Sequence, residues 1–254
     1  MSNLLLEEKI QQADRRLQTH SQLLPQDCSA YWDYHRERFL MVGRLLYGWR
    51  LKEEKEGQSL SRFLDVGPGY QTMLFEDLLE NATFDTFGYS DSRFPLRKEP
   101  HHYHYNLNQS IDPDKWPAPP SELYDVMTML EVIEHLYTSP LQVFACLKRF
   151  LRPGGLFFVQ TPNAVSLSKR VRMLLGSNPY ELIREDRVNA GHFREYTRDE
   201  LIHYGISSGF KVEDIIMSNY WSFITKIERT CTFISKYLPQ EFRDGLLIIF
   251  CKID

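Results

Sequence analysis

The chain has 254 residues, of which 43% are hydrophobic and 13% aromatic, enough to bury a core of domain size. Its 30 basic and 34 acidic residues give a net charge of -4 without a strongly basic block, which argues against general nucleic-acid binding. The four cysteines are widely spaced, no apolar run reaches about 18 residues, and the amino terminus lacks a signal-peptide core, so we expect a cytoplasmic protein with reduced thiols and no transmembrane segment.

Residues 1–60 are predicted to form a helical extension. Leu6, Ile10, Ala13 and Leu17 recur at helical spacing, and a second amphipathic pattern runs over residues 31–49. The charged segment 52–57 is typical of a solvated helix end. The main domain is therefore expected to span residues 61–254.

From residue 62 onward, predicted strands alternate with predicted helices. The strands lie near 62–66, 84–89, 102–106, 125–130, 156–160, 210–216 and 246–251, and the helices near 71–81, 139–151, 198–208 and 219–237. Residues 164–190 are predicted to be an irregular insertion. The alternation predicts an α/β fold with a parallel sheet, covered by helices on both faces, and ligand sites at the carboxyl ends of its strands.

The first strand runs into a carboxylate and a glycine turn, Asp65-Val66-Gly67-Pro68-Gly69. Gly67 and Gly69 allow the backbone to approach a ligand closely, and the next helix offers its terminal N–H groups. An ordinary tight turn explains the same residues equally well. Polar motifs also follow the other predicted strands, however, at 89–92, 106, 131–135 and 161–163. Because such strand ends face one crevice, the sequence predicts a binding site there.

Five ordered blocks resemble one enzyme family. They are FLDVGPGY (63–70), YDVMTMLEVIEHL (124–136), LKRFLRPGGLFFVQTPN (147–163), GHFREYTRDEL (191–201) and SGFKVEDI (208–215). Together they resemble the class I S-adenosylmethionine-dependent methyltransferases, in particular the small-molecule O-methyltransferases that include ubiquinone-biosynthesis enzymes. The resemblance implies a Rossmann-like, seven-stranded, mostly parallel sheet whose last strand is antiparallel. It also implies an amino-terminal helical lid and an inserted cap at about 164–196.

The resemblance further implies S-adenosylmethionine as the cofactor and assigns residues to its pocket. The glycine turn would lie under the methionine and ribose, with Tyr70 and Gln71 standing where the family has a third glycine. The acid expected after the second strand falls at Ser90, with Asp91 one residue late, and Asn106 stands where an acid often meets the adenine. The implied cofactor-binding residues are Asp65, Gly67, Gly69, Tyr70, Ser90, Asp91, Asn106, Leu130 and Glu131.

Glu131, Glu134 and His135 follow the fourth strand, where the resemblance places the transferable methyl group. Two carboxylates and an imidazole could bind a divalent metal there, position an acceptor hydroxyl, or simply cap the following turn; we predict no metal. Methyl transfer to a hydroxyl needs a base, and His192 and His135 are the predicted catalytic residues. The common alternative for each is a packed, hydrogen-bonded structural histidine.

The predicted function is an S-adenosylmethionine-dependent methyltransferase that acts on a hydroxyl of a small molecule, sugar or lipid-like precursor. The basic residues Lys169, Arg170 and Arg172 either attract an anionic group on that acceptor or form a solvated helix face. A catalytically silent methyltransferase-like scaffold is the alternative function. An NAD-dependent oxidoreductase is disfavoured because Thr72 stands where Gly-x-Gly-x-x-Gly needs a glycine. Acceptor identity, oligomeric state and peripheral membrane contact are left open.

Overall fold

The computed structural model describes residues 3–57, 60–89, 93–96, 100–185, 191–221 and 225–253. The chain forms two compact units. The first comprises residues 1–104 with 220–222, and the second comprises residues 105–219 with 223–254.

The described residues of the first unit form three α-helices and three strands: α1 (Asn3–Gln22), α2 (Gln26–Lys55), β1 (Arg62–Val66), α3 (Tyr70–Leu78), β2 (Thr83–Gly88) and β3 (His102–His104). The range predicted to be a helical extension contains α1 and α2, and its apolar positions Ile10, Ala13 and Leu17 are buried. An ion pair of 2.6 Å joins Arg16 of α1 to Asp77 of α3. The helices therefore pack within the same unit as β1 to β3, and the domain boundary at residue 60 stays a prediction.

The second unit contains four α-helices and four strands among its described residues: β4 (Tyr124–Leu130), α4 (Pro140–Lys148), β5 (Leu151–Pro162), α5 (Leu167–Leu174), α6 (Arg198–Ser207), β6 (Phe210–Ser218), α7 (Lys226–Ser235) and β7 (Gly245–Lys252). Every residue of β4 is buried, as its unbroken apolar character predicts for a central strand. Thr197 and Glu200 form a capping box that starts α6.

The strands form a seven-stranded sheet in the order β3-β2-β1-β4-β5-β7-β6. Strand β7, the last in the chain, runs antiparallel to both of its neighbours, β5 and β6. The pairs β1–β2, β2–β3 and β4–β5 are parallel. This arrangement confirms the predicted mostly parallel sheet with an antiparallel last strand.

The structure corrects three predicted element boundaries. The helix predicted to reach residue 151 ends at Lys148, because Leu151 already pairs with Tyr124 and begins β5. The insertion predicted to be irregular contains α5. The helix predicted over 219–237 is confirmed only as Lys226–Ser235, since Asn219 is held outside it by hydrogen bonds to Asp244 and Ser235. In the first and third cases pairing with a distant segment overrode local propensity.

Within the described ranges, every helix is too short or too polar to span a lipid bilayer.

Candidate functional site

The glycine turn of the first unit is organised by a buried carboxylate at the end of β1. Asp65 is 1% exposed, and its Oδ2 accepts hydrogen bonds from Thr72 Oγ1 (2.5 Å) and Gln71 Nε2 (3.2 Å). Thr72 Oγ1 in turn accepts from the N–H of Gly69 at 3.0 Å, which caps the start of α3. The turn is thus tied at both ends by side chains of the helix that follows it.

Two residues of this turn, Gly67 and Gly69, have no side chain. Gly67 has a φ of 80°, which favours glycine, and its N–H donates to Phe87 O at 2.9 Å. A Cβ on Gly69 would lie 2.9 Å from Gln71 Oε1. Gly88, which the sequence analysis did not single out, ends β2 with a φ of 114°, and a Cβ there would lie 3.8 Å from Gly67 N. A bare backbone at strand ends fits the close approach of a nucleotide-like cofactor.

Tyr70 belongs to the core of the first unit. Its side chain is fully buried, its hydroxyl donates to Cys28 O of α2 at 3.1 Å, and its ring packs against Trp32 and Phe94. Tyr70 and Gln71 stand where the family has its third glycine. The Tyr70 side chain packs into the core, and Gln71 Nε2 donates a hydrogen bond to Gly67 O at 2.7 Å. A cofactor contact from Tyr70 stays a prediction.

The remaining predicted cofactor residues have different surroundings. Ser90 and Asp91 lie outside the described residues. In the second unit, Asn106 Oδ1 accepts from the N–H of Asn108 at 3.0 Å and caps the short 3-10 helix Leu107–Ile111. This capping role is an alternative to the predicted contact of Asn106 with the adenine. Leu130 is buried at the end of β4.

Glu131, which follows β4, has a left-handed backbone with a φ of 57°. Such a conformation costs a residue with a side chain about 1 to 2 kcal/mol. The Glu131 N–H nevertheless donates to Gln160 O of β5 at 2.9 Å, so pairing with β5 holds the backbone in this conformation. Backbone strain of this kind is concentrated at functional sites.

Two histidines of the second unit meet beside Glu134. The rings of His135 and His192 lie edge to face with centroids 4.8 Å apart. Glu134 is fully buried, its Oε2 accepts from Thr161 Oγ1 at 3.0 Å, and its carbonyl accepts from the N–H of Phe193 at 2.8 Å. Segments distant in sequence are thereby joined at the ends of β4 and β5.

The partners of the two histidines define which ring nitrogen can accept a proton. His135 Nδ1 lies 2.9 Å from Gly191 O, and His192 Nδ1 lies 3.1 Å from Glu195 Oε1. A carbonyl and a carboxylate can only accept, so we assign Nδ1–H to both rings. In the neutral form of each ring, Nε2 then carries a lone pair and can act as a base.

Burial controls the charges in this cluster. Desolvation, together with His135, Lys169 and Arg184, lowers the pKa of His192 to about 4, so its imidazole is neutral at neutral pH. Burial also lowers the pKa of Lys169 to about 8, against the opposing effect of nearby carboxylates. The pKa of Tyr196 is raised to about 12, chiefly by burial.

The sequence analysis offered a solvated helix face as one role for the basic residues Lys169, Arg170 and Arg172. Lys169 does not have that role, because its side chain is only 16% exposed. Its Nζ forms an ion pair with Glu195 Oε2 and also donates to Asn163 O at 3.0 Å. Sequence reasoning missed Glu195 as a partner of His192. The His192-x-x-Glu195 spacing was the available signal, although this spacing is common by chance.

The histidine cluster also has the composition of a metal site. Glu134, His135 and His192 each offer one ligand atom, and these atoms lie within 4.8 Å of one another. Carboxylate oxygen and imidazole nitrogen are suitable ligands for a divalent ion such as zinc. The absence of a resident metal stays a prediction.

Comparison with known proteins identifies related sequences and folds. Residues 32–215 match the family model described as a methyltransferase domain. A Mycolicibacterium smegmatis protein named as a probable S-adenosylmethionine-dependent methyltransferase is 35% identical over 97 residues, which are 38% of this chain and 32% of that protein. A Mycobacterium tuberculosis protein with the same description is 34% identical over 91 residues, 36% of this chain and 28% of its own length. The aligned stretch thus covers under a third of both relatives.

The fold is shared with a solved structure, an S-adenosylmethionine-dependent methyltransferase from Mesorhizobium loti. The two have a TM-score of 0.51 and 14% sequence identity, and the superposition covers 76% of this chain and 92% of the other.

Replacing Gly67 by alanine is expected to weaken binding of S-adenosylhomocysteine at least about tenfold, or about 1.4 kcal/mol, because a Cβ at a φ of 80° distorts the turn. Isothermal titration calorimetry measures the effect. Gly57→Ala is the matched control, since Gly57 has a φ of 79° with nothing within 4 Å of its Cβ position. Equal affinities of the two variants would contradict a cofactor role for the turn.

Thr72→Val is expected to lower the free energy of unfolding by about 1 to 3 kcal/mol, because it removes hydrogen bonds from buried Asp65 and Gly69. Urea denaturation followed by circular dichroism provides the measurement. Thr83→Val removes only an exposed bond of 3.3 Å and should change stability by under about 0.5 kcal/mol. A smaller loss for Thr72→Val than for this control would refute the proposed turn network.

The purified protein is expected to carry no stoichiometric metal, which plasma mass spectrometry after gel filtration in metal-free buffer can determine. A stoichiometric metal that disappears in Glu134→Gln and His192→Gln would overturn this expectation and assign the three residues as ligands. Retention of the same metal by both variants would place it elsewhere in the chain.

Proposed function

The chain belongs to the class I S-adenosylmethionine-dependent methyltransferases, and we propose that it binds S-adenosylmethionine and methylates a hydroxyl of a small molecule, sugar or lipid-like precursor. The observation that carries the hydroxyl assignment is the His192–Glu195 pair, 3.1 Å apart. A hydroxyl must lose its proton as its oxygen attacks, and this pair presents a base suited to remove it.

The cofactor would be held by the bare glycine turn of the first unit. Once bound, it supplies a methyl group that its sulfonium has already activated. Gly67 and Gly69 offer backbone without side chains, and the Asp65–Thr72 network keeps that backbone in place. In the second unit, Leu130 and Glu131 are the residues proposed to contact the cofactor. The strained backbone of Glu131 supports a functional role.

His192 is the proposed general base. Its Nε2 takes the hydroxyl proton, and the resulting imidazolium is stabilised by Glu195, whose Oε1 already holds Nδ1–H. Burial lowers the pKa of His192 to about 4, so the ring is unprotonated at neutral pH. His135 is the second candidate, since its Nε2 also carries a lone pair and its ring contacts His192.

We expect His192→Gln to reduce the rate of methyl transfer by about 10² to 10⁴-fold, the usual contribution of a general base, while affinity for S-adenosylhomocysteine stays unchanged. The assay follows transfer of labelled methyl from S-adenosylmethionine into a cell extract, with mass spectrometry to identify the product. His135→Gln tests the second candidate, and His203→Gln, on exposed α6 surface, is the control.

Product chemistry separates the alternatives. An O-methyl product that depends on His192 supports the proposal, whereas an N-methyl or C-methyl product overturns the hydroxyl assignment. If the wild-type protein binds S-adenosylhomocysteine but labels nothing in extracts containing a broad range of acceptors, the silent-scaffold function is favoured instead.

A further inference from the structure

Lys169 has no assigned role in the proposed reaction, although it lies next to His192, the proposed general base, and its partner Glu195. It is in the first turn of α5, and its side chain is 16% exposed. Its partner Glu195 is 5% exposed. A buried ion pair costs desolvation on both sides, so its presence beside a reactive histidine requires a physical reason.

Glu195 uses both carboxylate oxygens. Oε1 accepts from His192 Nδ1, and Oε2 accepts from Lys169 Nζ. A carboxylate held at both oxygens cannot rotate without breaking a charged hydrogen bond. The orientation of the His192 ring therefore depends on a cation that does not contact the ring by a hydrogen bond.

The anchor of Lys169 is rigid. Its Nζ also donates to Asn163 O at 3.0 Å, and the Asn163 side chain donates to Glu241 O at 2.9 Å and Arg243 O at 2.7 Å. Asn163 N–H donates to Asp244 O at 2.7 Å. The chain of contacts runs from the end of β5 through Lys169 and Glu195 to His192.

We propose that Lys169 is a positioning residue for the base: it holds Glu195 so that His192 keeps its proton on Nδ1 and presents Nε2 to the acceptor. This inference rests on the proposed function. Without the cation, Glu195 is free to rotate or to take up a proton, and His192 can then carry its proton on Nε2. A ring in that tautomer cannot accept the hydroxyl proton at Nε2.

The tautomer of His192 is measurable without cofactor or acceptor. Long-range ¹H–¹⁵N spectra of protein labelled at the imidazole nitrogens distinguish Nδ1–H from Nε2–H, and His192→Gln assigns the signal. The wild-type protein should show Nδ1–H. Lys169→Met should shift His192 towards Nε2–H, and Lys169→Arg, which keeps a cation, should restore Nδ1–H at least in part. Arg170→Met removes an exposed cation from the same helix and should leave the His192 tautomer as it is in the wild-type protein.

His135 provides an internal control for general loop damage. Its Nδ1 bonds Gly191 O, on the same loop as His192 and without involvement of Lys169. A shift confined to His192 supports the proposal. If Lys169→Met leaves His192 as Nδ1–H, or moves both histidines together, the positioning role is overturned. Lys169→Gln, neutral but polar, is the second variant if the methionine variant does not fold.

Kinetics separate failure of this inference from failure of the proposed function. With the acceptor found by labelling, Lys169→Met should lower kcat about 10 to 100-fold, as loss of a positioning contact typically does, with little change in KM for S-adenosylmethionine. A tautomer shift together with an unchanged kcat supports positioning by Lys169 and refutes His192 as the base. A lower kcat with no tautomer shift overturns the positioning role.

Discussion

A carboxylate that is buried away from water needs hydrogen-bond donors from the protein. This requirement determines the surroundings of one carboxylate in each unit, Asp65 and Glu195. In the first unit, Asp65 meets it with donors from Thr72 and Gln71. In the second unit, Glu195 meets it with Lys169 and His192. Each carboxylate thereby fixes a neighbouring group that matters for chemistry: the backbone of the glycine turn in one case and the imidazole of His192 in the other.

The two carboxylates do different work because their donors differ. Asp65 accepts hydrogen bonds from two neutral donors of the following helix, Thr72 and Gln71, and these contacts order a turn. Glu195 joins a cation to an imidazole, so removal of either partner leaves a buried charge with fewer hydrogen bonds. Both arrangements are costly to disturb, since an uncompensated buried charge is far more destabilising than a lost neutral hydrogen bond.

Methyl transfer makes modest demands on a protein, because the sulfonium activates the methyl group before the acceptor arrives. The protein must align the acceptor and, for a hydroxyl, remove a proton. His192 is the residue proposed for the second demand. The left-handed backbone of Glu131, at the end of β4, is a local energetic cost. The acceptor itself would be recognised by residues outside the shared sheet, which is why the fold alone does not name it.

The sequence was sufficient to predict features that depend on local pattern. Apolar periodicity indicated the strands and most of the helices. The turn after Asp65 could be predicted because it contains Gly67, and glycine readily adopts the positive φ found there. The order of the five blocks indicated the family. Element ends were less predictable: Leu151 joined the sheet and Asn219 left the predicted helix because each pairs with a residue far along the chain.

Tertiary structure alone decided the rest. Tyr70 faces the core because Cys28 accepts its hydroxyl hydrogen bond 42 positions away. The Lys169 side chain is only 16% exposed and pairs with Glu195, 26 positions on, although its own segment has the basic pattern of a solvated helix. The tautomer of His192 follows from that same pairing. Local pattern predicts most of the backbone conformation away from element ends, whereas the charge and orientation of a buried side chain depend on partners that only folding brings together.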